Sequence, residues 1–177
     1  MNTIATPTSA APSTAMIPRL TILLQGIYRL MGELPNSVLA FIARFSIAAV
    51  FWKSGQTKIE GFAIDIVNRD FTLGWPHLSD NAVFLFRDEY KLPLLPPEIG
   101  TAMAAFGEHF FPILLLLGLA TRLSALALLG MTMVIQLFVY PDAYPTHGVW
   151  AAVLLYIMAH GPGKLSIDAL IARHHQG

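Results

Sequence analysis

Residues 99–140 read IGTAMAAFGEHFFPILLLLGLATRLSALALLGMTMVIQLFVY, and they contain two long apolar runs. The first run is interrupted by one charged residue, Glu108, which His109 follows, and the second run contains no charged residue. A helix needs about 20 residues to cross a bilayer, because each residue adds about 1.5 Å. Only Thr121 and Arg122 separate the two runs, so the runs are predicted to form antiparallel neighbouring spans.

Two further apolar runs, one before and one after this pair, bring the total to four predicted membrane spans. The spans cover residues 37–57, 99–120, 123–140 and 143–162. The last span is the weakest, since its uninterrupted apolar core runs only from residue 148 to residue 159. Several aromatic residues lie at or near span ends, as is typical of the membrane interface: Trp52, Tyr140, Tyr144 and Trp150.

The composition agrees with a membrane protein and excludes several other classes. Of the 177 residues, 55% are hydrophobic and 12% are charged, whereas a typical soluble domain has about 25% charged residues. Eleven basic residues balance eleven acidic ones, so there is no basic surface of the kind that binds nucleic acid. The chain has no cysteine, which excludes disulfides, thiolate nucleophiles and cysteine-ligated metal centres.

Outside the spans, the sequence predicts two tails and a surface helix. Residues 1–15 are rich in Ala, Thr, Pro and Ser, which predicts a disordered tail. Residues 16–35 form a predicted amphipathic helix along the membrane surface, and the alternative is a helix on the soluble side that packs on the bundle. Residues 36–171 form the predicted membrane domain, and residues 172–177 form a second tail.

The loop between spans 1 and 2, from about Ile59 to Glu98, is predicted to lie outside the membrane. It holds seven of the eleven acidic residues. We expect a partly ordered cap with a short helix near residues 81–90, preceded by Ser79 or Asp80 as its N-cap. The predicted fold is therefore an all-α integral membrane four-helix bundle, with an N-terminal interfacial helix and an extramembrane loop of about 40 residues.

Arg44 in span 1 and Glu108 in span 2 are charged residues inside predicted spans. Each costs roughly 3 kcal/mol at the centre of a bilayer. If the two spans are antiparallel, Arg44 lies about 12 Å and Glu108 about 16 Å from the cytoplasmic end. The two residues are therefore predicted to form an ion pair. This pair is either a structural link between the spans or part of a polar cavity that binds a ligand or transfers protons.

The histidines allow further interpretations. His109 is either a hydrogen-bonded interior residue or a titratable group that assists Glu108. A small transporter or a metal-handling protein is a weaker interpretation, based on His77, His109, His147, Met131 and Met133. The sequence has no HExxH motif, no glycine-rich phosphate loop and no nucleophile–base arrangement, and no metal site is predicted.

Three segments resemble the DoxX family. Residues 44–58, RFSIAAVFWKSGQTK, are similar to the first helix of that family. Residues 108–126, EHFFPILLLLGLATRLSAL, are similar to its second helix and the following turn. Residues 161–168, GPGKLSID, resemble its closing motif after the fourth helix. The resemblance covers roughly residues 37–171.

The resemblance implies a small four-helix protein of the bacterial inner membrane with both termini in the cytoplasm. The family takes its name from subunits of sulfur-linked, quinone-coupled oxidoreductases, which implies a quinone-linked process and a redox partner in the membrane or periplasm. By position, the family's arginine in the first helix, its lysine after a pair of small residues, its glutamate in the second helix and its arginine in the turn correspond to Arg44, Lys58, Glu108 and Arg122. The sequence carries no flavin, haem or iron–sulfur signature, so any electrons come from a partner or a diffusible carrier.

The leading hypothesis is therefore a redox-associated membrane protein. It binds a quinone or another small apolar electron carrier between spans 1 and 2. Arg44 and Glu108 orient the head group or move its protons with the help of His109, while Lys58 and Arg122 are candidate cofactor-binding residues. The alternative is a non-catalytic membrane anchor that holds a partner protein. The sequence does not identify the substrate, the electron donor or acceptor, the partner or the oligomeric state.

Overall fold

The computed structural model describes residues 16–66 and 68–175, with side chains from residue 20 onward, and most of these residues are helical. The chain divides into two units, Met1–Pro35 and Asn36–Gly177. The predicted tail of residues 1–15 lies outside the described residues.

The first unit contains helix α1, Met16–Gly32, which ends before Pro35. Its large apolar residues from Leu20 onward are exposed, and Arg29 and Glu33 form an ion pair of 3.0 Å between successive turns. The helix itself agrees with the sequence pattern, and its position on a membrane surface stays a prediction.

The second unit contains the remaining helices and a hairpin. In chain order, its elements are α2 (Asn36–Gln56), β1 (Ile59–Asp65), β2 (Asp70–Leu78), α3 (Asp80–Leu85), α4 (Pro97–Leu117), α5 (Thr121–Val134), α6 (Tyr144–His160) and α7 (Ile167–His174). A π-helical turn extends α3 to Tyr90, and another extends α5 to Val139. The C-terminal tail expected after residue 171 therefore begins within α7.

The four long helices of this unit pack around one apolar core. Helix α2 contacts α4 and α6, and α5 contacts the same two helices. Phe51, Leu115, Leu128 and Leu154, one from each helix, are fully or almost fully buried in this core. Ala48 and Ala125 are buried beside them, which lets the helices approach closely, as is typical of helices that associate in membranes.

Among the residues that the structure describes, three helical segments are long and apolar enough to cross a membrane: Asn36–Gln56, Pro97–Leu117 and Thr121–Val139. They coincide with three of the four predicted spans. The fourth predicted span corresponds to α6, which has 17 residues. This helix is shorter than the about 20 residues that a crossing normally needs.

The segment between α2 and α4 differs from the all-α prediction. Strands β1 and β2 form an antiparallel hairpin, and α3 follows with Ser79 as its N-cap residue. The alternating apolar residues of each strand, Phe62 and Ile64 in β1 and Phe71 and Leu73 in β2, are the period-two signal that predicts a strand. The short helix predicted near residues 81–90 is present, and the hairpin before it was not predicted.

Candidate functional site

The last turn of α2 lies against the middle of α4. A Cβ atom at Gly55 would lie 2.7 Å from Cε1 of His109 and 3.1 Å from Cβ of Glu108. Glu108 is the twelfth residue of α4, so about 16 Å of that helix extends beyond the level of Gly55. The two helices are therefore antiparallel but strongly offset along their axes.

The contact at Gly55 leads to a prediction for stability. Gly55→Ala should lower the free energy of unfolding by about 1–3 kcal/mol, because the new methyl group must displace the His109 ring. The matched control is Gly130→Ala in α5, where a Cβ atom would meet nothing within 4 Å. This substitution should raise the free energy of unfolding by about 0.5–1 kcal/mol. Unfolding of the purified variants in mixed detergent–SDS micelles, followed by circular dichroism, measures both. Equal effects of the two substitutions would contradict this close packing.

A buried polar cluster forms where α2 meets α4. Nζ of Lys58 lies 2.7 Å from Oε2 of Glu108, and the side chains are 11% and 3% exposed, respectively. The hydroxyl of Ser54 donates to Oε1 of Glu108 at 3.1 Å. Lys58 Nζ also donates to the Ser54 hydroxyl at 3.1 Å and to the Ser54 carbonyl at 3.3 Å. The carboxylate is thus held by one cation and one hydroxyl from the end of α2.

A proline gives the backbone at this cluster an additional acceptor. Pro112 lies one turn after Glu108 and is buried inside α4. Proline has no N–H group, so it cannot donate the helical hydrogen bond to the Glu108 carbonyl. The carbonyl and the carboxylate of the same residue therefore both add acceptor capacity at this point of the helix.

The predicted ion pair between Arg44 and Glu108 is wrong, since Arg44 binds backbone carbonyls instead. Its Nη1 donates to the carbonyls of Leu115 and Leu116 at 2.9 and 3.3 Å, and its Nη2 donates to the carbonyl of Leu165. The last carbonyls of a helix lack intrahelical donors and carry the negative end of the helix dipole. Arg44, which is fully buried, therefore caps the C-terminus of α4 and joins it to the loop before α7.

Asp168 completes the structure at this end of the helices. Its two carboxylate oxygens accept the backbone N–H groups of Ala120 and Thr121, each at 2.9 Å, at the N-terminus of α5. Its own N–H donates to the carbonyl of Gly118 at 2.9 Å. Arg44 and Asp168 thus hold the turn between α4 and α5 from its two sides, and the turn is distant from the Glu108 cluster.

His109 connects α4 to the hairpin. Its Nδ1 lies 2.7 Å from the carbonyl of Ala105, which can only accept, and its Nε2 lies 2.8 Å from Nε2 of Gln56. These partners assign the proton to Nδ1 and make Nε2 the acceptor. Oε1 of Gln56 in turn accepts the N–H of Ile64 in β1 at 2.7 Å. His109 is therefore a half-buried, hydrogen-bonded residue whose contacts align α2, α4 and β1.

Arg122 lies near the turn between α4 and α5. Its Nη2 donates weakly to the carbonyl of Ala159 at 3.4 Å, and its guanidinium lies over Gly161. Arg122, His160 and Gly161 border a shallow depression. The structure thus places Arg44 and Arg122 at this end of the helices and places Lys58 and Glu108 elsewhere.

A cavity of about 500 Å³ adjoins the cluster of Lys58, Glu108 and Ser54. The rest of its wall is mainly apolar and aromatic, with Phe51, Phe86, Phe111, Met131, Tyr140 and Trp150 among its lining residues. Both π-helical turns contribute to the wall, and such turns are frequent at functional sites. Arg44, His109 and Arg122 do not line this cavity.

Tyrosines form part of the cavity wall away from the Glu108 cluster. The hydroxyl of Tyr140 lies 3.3 Å from that of Tyr90 and 3.1 Å from a carboxylate oxygen of Glu89. The hydrogen bond with Tyr90, together with burial, raises the pKa of Tyr140, so this phenol stays neutral at physiological pH. These contacts join the π-helical turn that follows α3 to Tyr140, the residue after the π-helical turn of α5.

The histidines that suggested metal binding each have other partners. His77 lies 3.8 Å from a carboxylate oxygen of Glu60, and Nδ1 of His147 lies 2.7 Å from Oε1 of Gln136. Within residues 16–66 and 68–175, no three His, Cys, Asp or Glu residues are placed to hold a metal ion together. The interpretation as a small transporter or metal-handling protein therefore gains no support from this geometry.

Comparison with known proteins gives one family and one relative. The model of the family described as DoxX matches residues 39–141, which include Arg44, Lys58, Glu108 and Arg122. An uncharacterized protein of Haemophilus influenzae is 28% identical over 153 residues, which cover 81% of this chain and 89% of the relative. No solved structure matches the chain.

Proposed function

This chain belongs to the DoxX family and is a membrane protein, and we propose that its cavity binds a quinone or another small apolar electron carrier. The protein then takes part in a quinone-linked or other redox process through a polar site at membrane depth. The electrons come from a membrane or periplasmic redox partner or from a diffusible donor.

The ion pair of Lys58 and Glu108 in the wall of an apolar cavity is the observation that carries this proposal. A buried ion pair contributes little to stability, because the loss of hydration offsets much of the attraction. Ionisable residues within membrane segments commonly mark a binding or proton pathway. This pair, unlike Arg44, adjoins a cavity, which favours a role in ligand binding over a purely structural one.

The chemistry of the pair suits both forms of a quinone. The ammonium of Lys58 can donate a hydrogen bond to a quinone carbonyl oxygen, in place of its long bond to the Ser54 carbonyl. The carboxylate of Glu108 can accept a hydrogen bond or a proton from a hydroquinone hydroxyl. A bound quinone would supply two-electron chemistry, and these side chains would position its oxygens and hold its protons.

The remainder of the cavity fits an apolar ring. Its volume of about 500 Å³ lies within the usual range of about 300–1,000 Å³ for small-molecule sites. Phe51 and Trp150, whose ring centroids are 5.5 Å apart, and Phe111 offer aromatic surface for stacking. Among the candidate site residues, Glu108 and Lys58 are thus the proposed ligand contacts, whereas Arg44 and His109 position the helices.

The proposed topology has four spans, with α6 as the last. A Cβ atom at Gly163, just after α6, would lie 2.9 Å from Cα of Ser37 near the start of α2. A Cβ atom at Gly118, just after α4, would lie 2.9 Å from Cα of Ser166. The start of α2, the turn after α4 and the end of α6 are therefore neighbours, as four alternating crossings require. We place this side in the cytoplasm of a bacterial cell and the protein in the inner membrane.

Quinone binding to the purified protein tests the proposal. Ubiquinone-1 and a short-chain menaquinone should quench the fluorescence of Trp150, which lines the cavity. Glu108→Gln should weaken binding about 10- to 100-fold, the cost of one hydrogen bond to a charged group. The matched control is Glu98→Gln on the same helix, since Glu98 is exposed and pairs with Arg87, and its affinity should equal that of the wild type.

Two outcomes of this experiment would contradict the proposal. The first is that neither quinone binds the wild-type protein. The second is that the Glu108 and Glu98 variants bind quinone equally well. In either case the alternative, a non-catalytic anchor that holds a partner protein at the membrane, becomes the better description.

A further inference from the structure

The hairpin between α2 and α4 exposes a row of large apolar side chains. Phe71, Leu73 and Trp75 in β2 are 62%, 81% and 89% exposed. Phe71 and Leu73 pair across the ladder with Ile64 and Phe62, so these four side chains share one face. This face, Phe62–Ile64–Phe71–Leu73, is called the hairpin apolar face below.

The hairpin does not extend away from the helices but folds back along α2. The indole Nε1 of Trp52 donates to the carbonyl of Ile64 at 3.1 Å, and the backbone N–H of Ile64 donates to Oε1 of Gln56. Trp52 lies four residues before the end of α2, a rise of about 6 Å. The outer backbone edge of β1 is thus hydrogen-bonded to the last two turns of α2.

The hairpin also contacts α4. Strand β2 and helix α3 both contact this helix, and the ring of Trp52, which binds Ile64, lies 5.0 Å from the ring of His109 near the middle of α4. Because α2 and α4 are both long and apolar enough to cross a membrane, the hairpin lies beside membrane-spanning segments rather than apart from them in bulk water.

We propose that the hairpin apolar face is a lipid-binding surface that inserts into the boundary between head groups and acyl chains. The boundary fits better than the hydrocarbon interior for two reasons. Strand β2 is an edge strand of the two-stranded sheet, and unpaired backbone groups are not tolerated in hydrocarbon. Trp75 prefers the interface, and Arg69 and Asp70 at the start of β2 are exposed polar groups.

Lipid is favoured over a protein partner because the hairpin is attached to helices that can cross a membrane. Strand β1 is joined to α2 through Trp52 and Gln56, and strand β2 contacts α4. This surface does not depend on a ligand in the cavity, so the inference stands apart from the quinone proposal.

The absence of cysteine makes a site-specific test possible. Leu73→Cys on the hairpin apolar face and Thr72→Cys on the opposite face of the same strand each introduce a single thiol. Both positions are exposed, so neither variant should disturb folding. Each is labelled with an environment-sensitive fluorophore and reconstituted into vesicles of phosphatidylethanolamine and phosphatidylglycerol, with or without lipids brominated near the head group.

The two labels should respond in opposite ways. The label at residue 73 should be quenched several-fold more by brominated lipid than the label at residue 72, which should be quenched more by aqueous iodide. Equal access of iodide to both labels would overturn the proposal. A label at residue 73 that is shielded from both quenchers would also overturn it, because a second copy of the chain would then cover this face.

Discussion

Glu108→Leu should lower the free energy of unfolding by about 3–5 kcal/mol, one of the largest effects expected for this protein. The reason is that the ammonium of Lys58 would remain buried without its carboxylate partner, since that side chain is only 11% exposed. The double variant Lys58→Met with Glu108→Leu should regain most of this loss, because it replaces both charges with apolar groups of similar size. Titration with SDS in mixed micelles, followed by circular dichroism, measures each variant.

The double variant also separates the structural role of the ion pair from its proposed chemical role. It should fold stably and yet fail to bind ubiquinone-1. If it binds this quinone as the wild type does, the pair only holds α2 against α4, and the proposed function is wrong. If Glu108→Leu alone changes stability by less than about 0.5 kcal/mol, as an ordinary surface substitution does, the pair is not buried as described.

Arg44→Met should be destabilising by about 3 kcal/mol or more, since hydrogen bonds to charged groups contribute about 1.5–3 kcal/mol each. The substitution leaves the carbonyls of Leu115, Leu116 and Leu165 without their donor. Arg44→Lys should rescue only part of this loss, because a compact ammonium lacks the planar fork that serves several carbonyls at once. The matched control is Arg29→Met, where the ion pair with Glu33 is exposed and contributes about 0.3–0.5 kcal/mol.

Gly118→Ala should reproduce the effect of Arg44→Met by crowding the same site. Gly118 has a φ of +69°, and an added Cβ atom would overlap Nη1 of Arg44 and Cβ of Ser166. The same unfolding titration measures this variant.

The folded fraction of Arg44→Lys should bind quinone with the affinity of the wild type, because Arg44 does not line the cavity. A selective loss of quinone affinity in this variant would restore Arg44 as a ligand contact.

The sequence was most informative about elements with strong local signals. Three of the four apolar runs correspond to helices that are long and apolar enough to cross a membrane. Ser79 is the N-cap residue of α3, one of the two predicted candidates. Hydrophobic length and the residue type at a helix boundary are properties of one continuous segment, so the sequence alone indicates them.

The hairpin was not predicted because the hydrogen bonds that stabilise each strand come from residues outside that strand, and because the segment has the composition of a loop. Its two strands pair only with each other, and the backbone of β1 is bound by Trp52 and Gln56 of the preceding helix. An acidic segment with several turn residues resembles a loop when it is considered without these partners. The alternation of Phe62 with Ile64 and of Phe71 with Leu73 was the available signal.

The positions of Arg44 and Glu108 within their apolar runs follow from the order of residues alone, since composition and helical rise place both charges at membrane depth. Their partners do not follow from it. The estimate of similar depth took the start of span 1 as level with the end of span 2, whereas close packing at Gly55 places the end of α2 at the middle of α4. That axial shift brings Lys58 to Glu108 and places Arg44 at the carbonyls at the end of α4. Hydropathy defines a span over about 30 Å, whereas a hydrogen bond requires two atoms within about 3 Å, so the partners depend on how the helices pack.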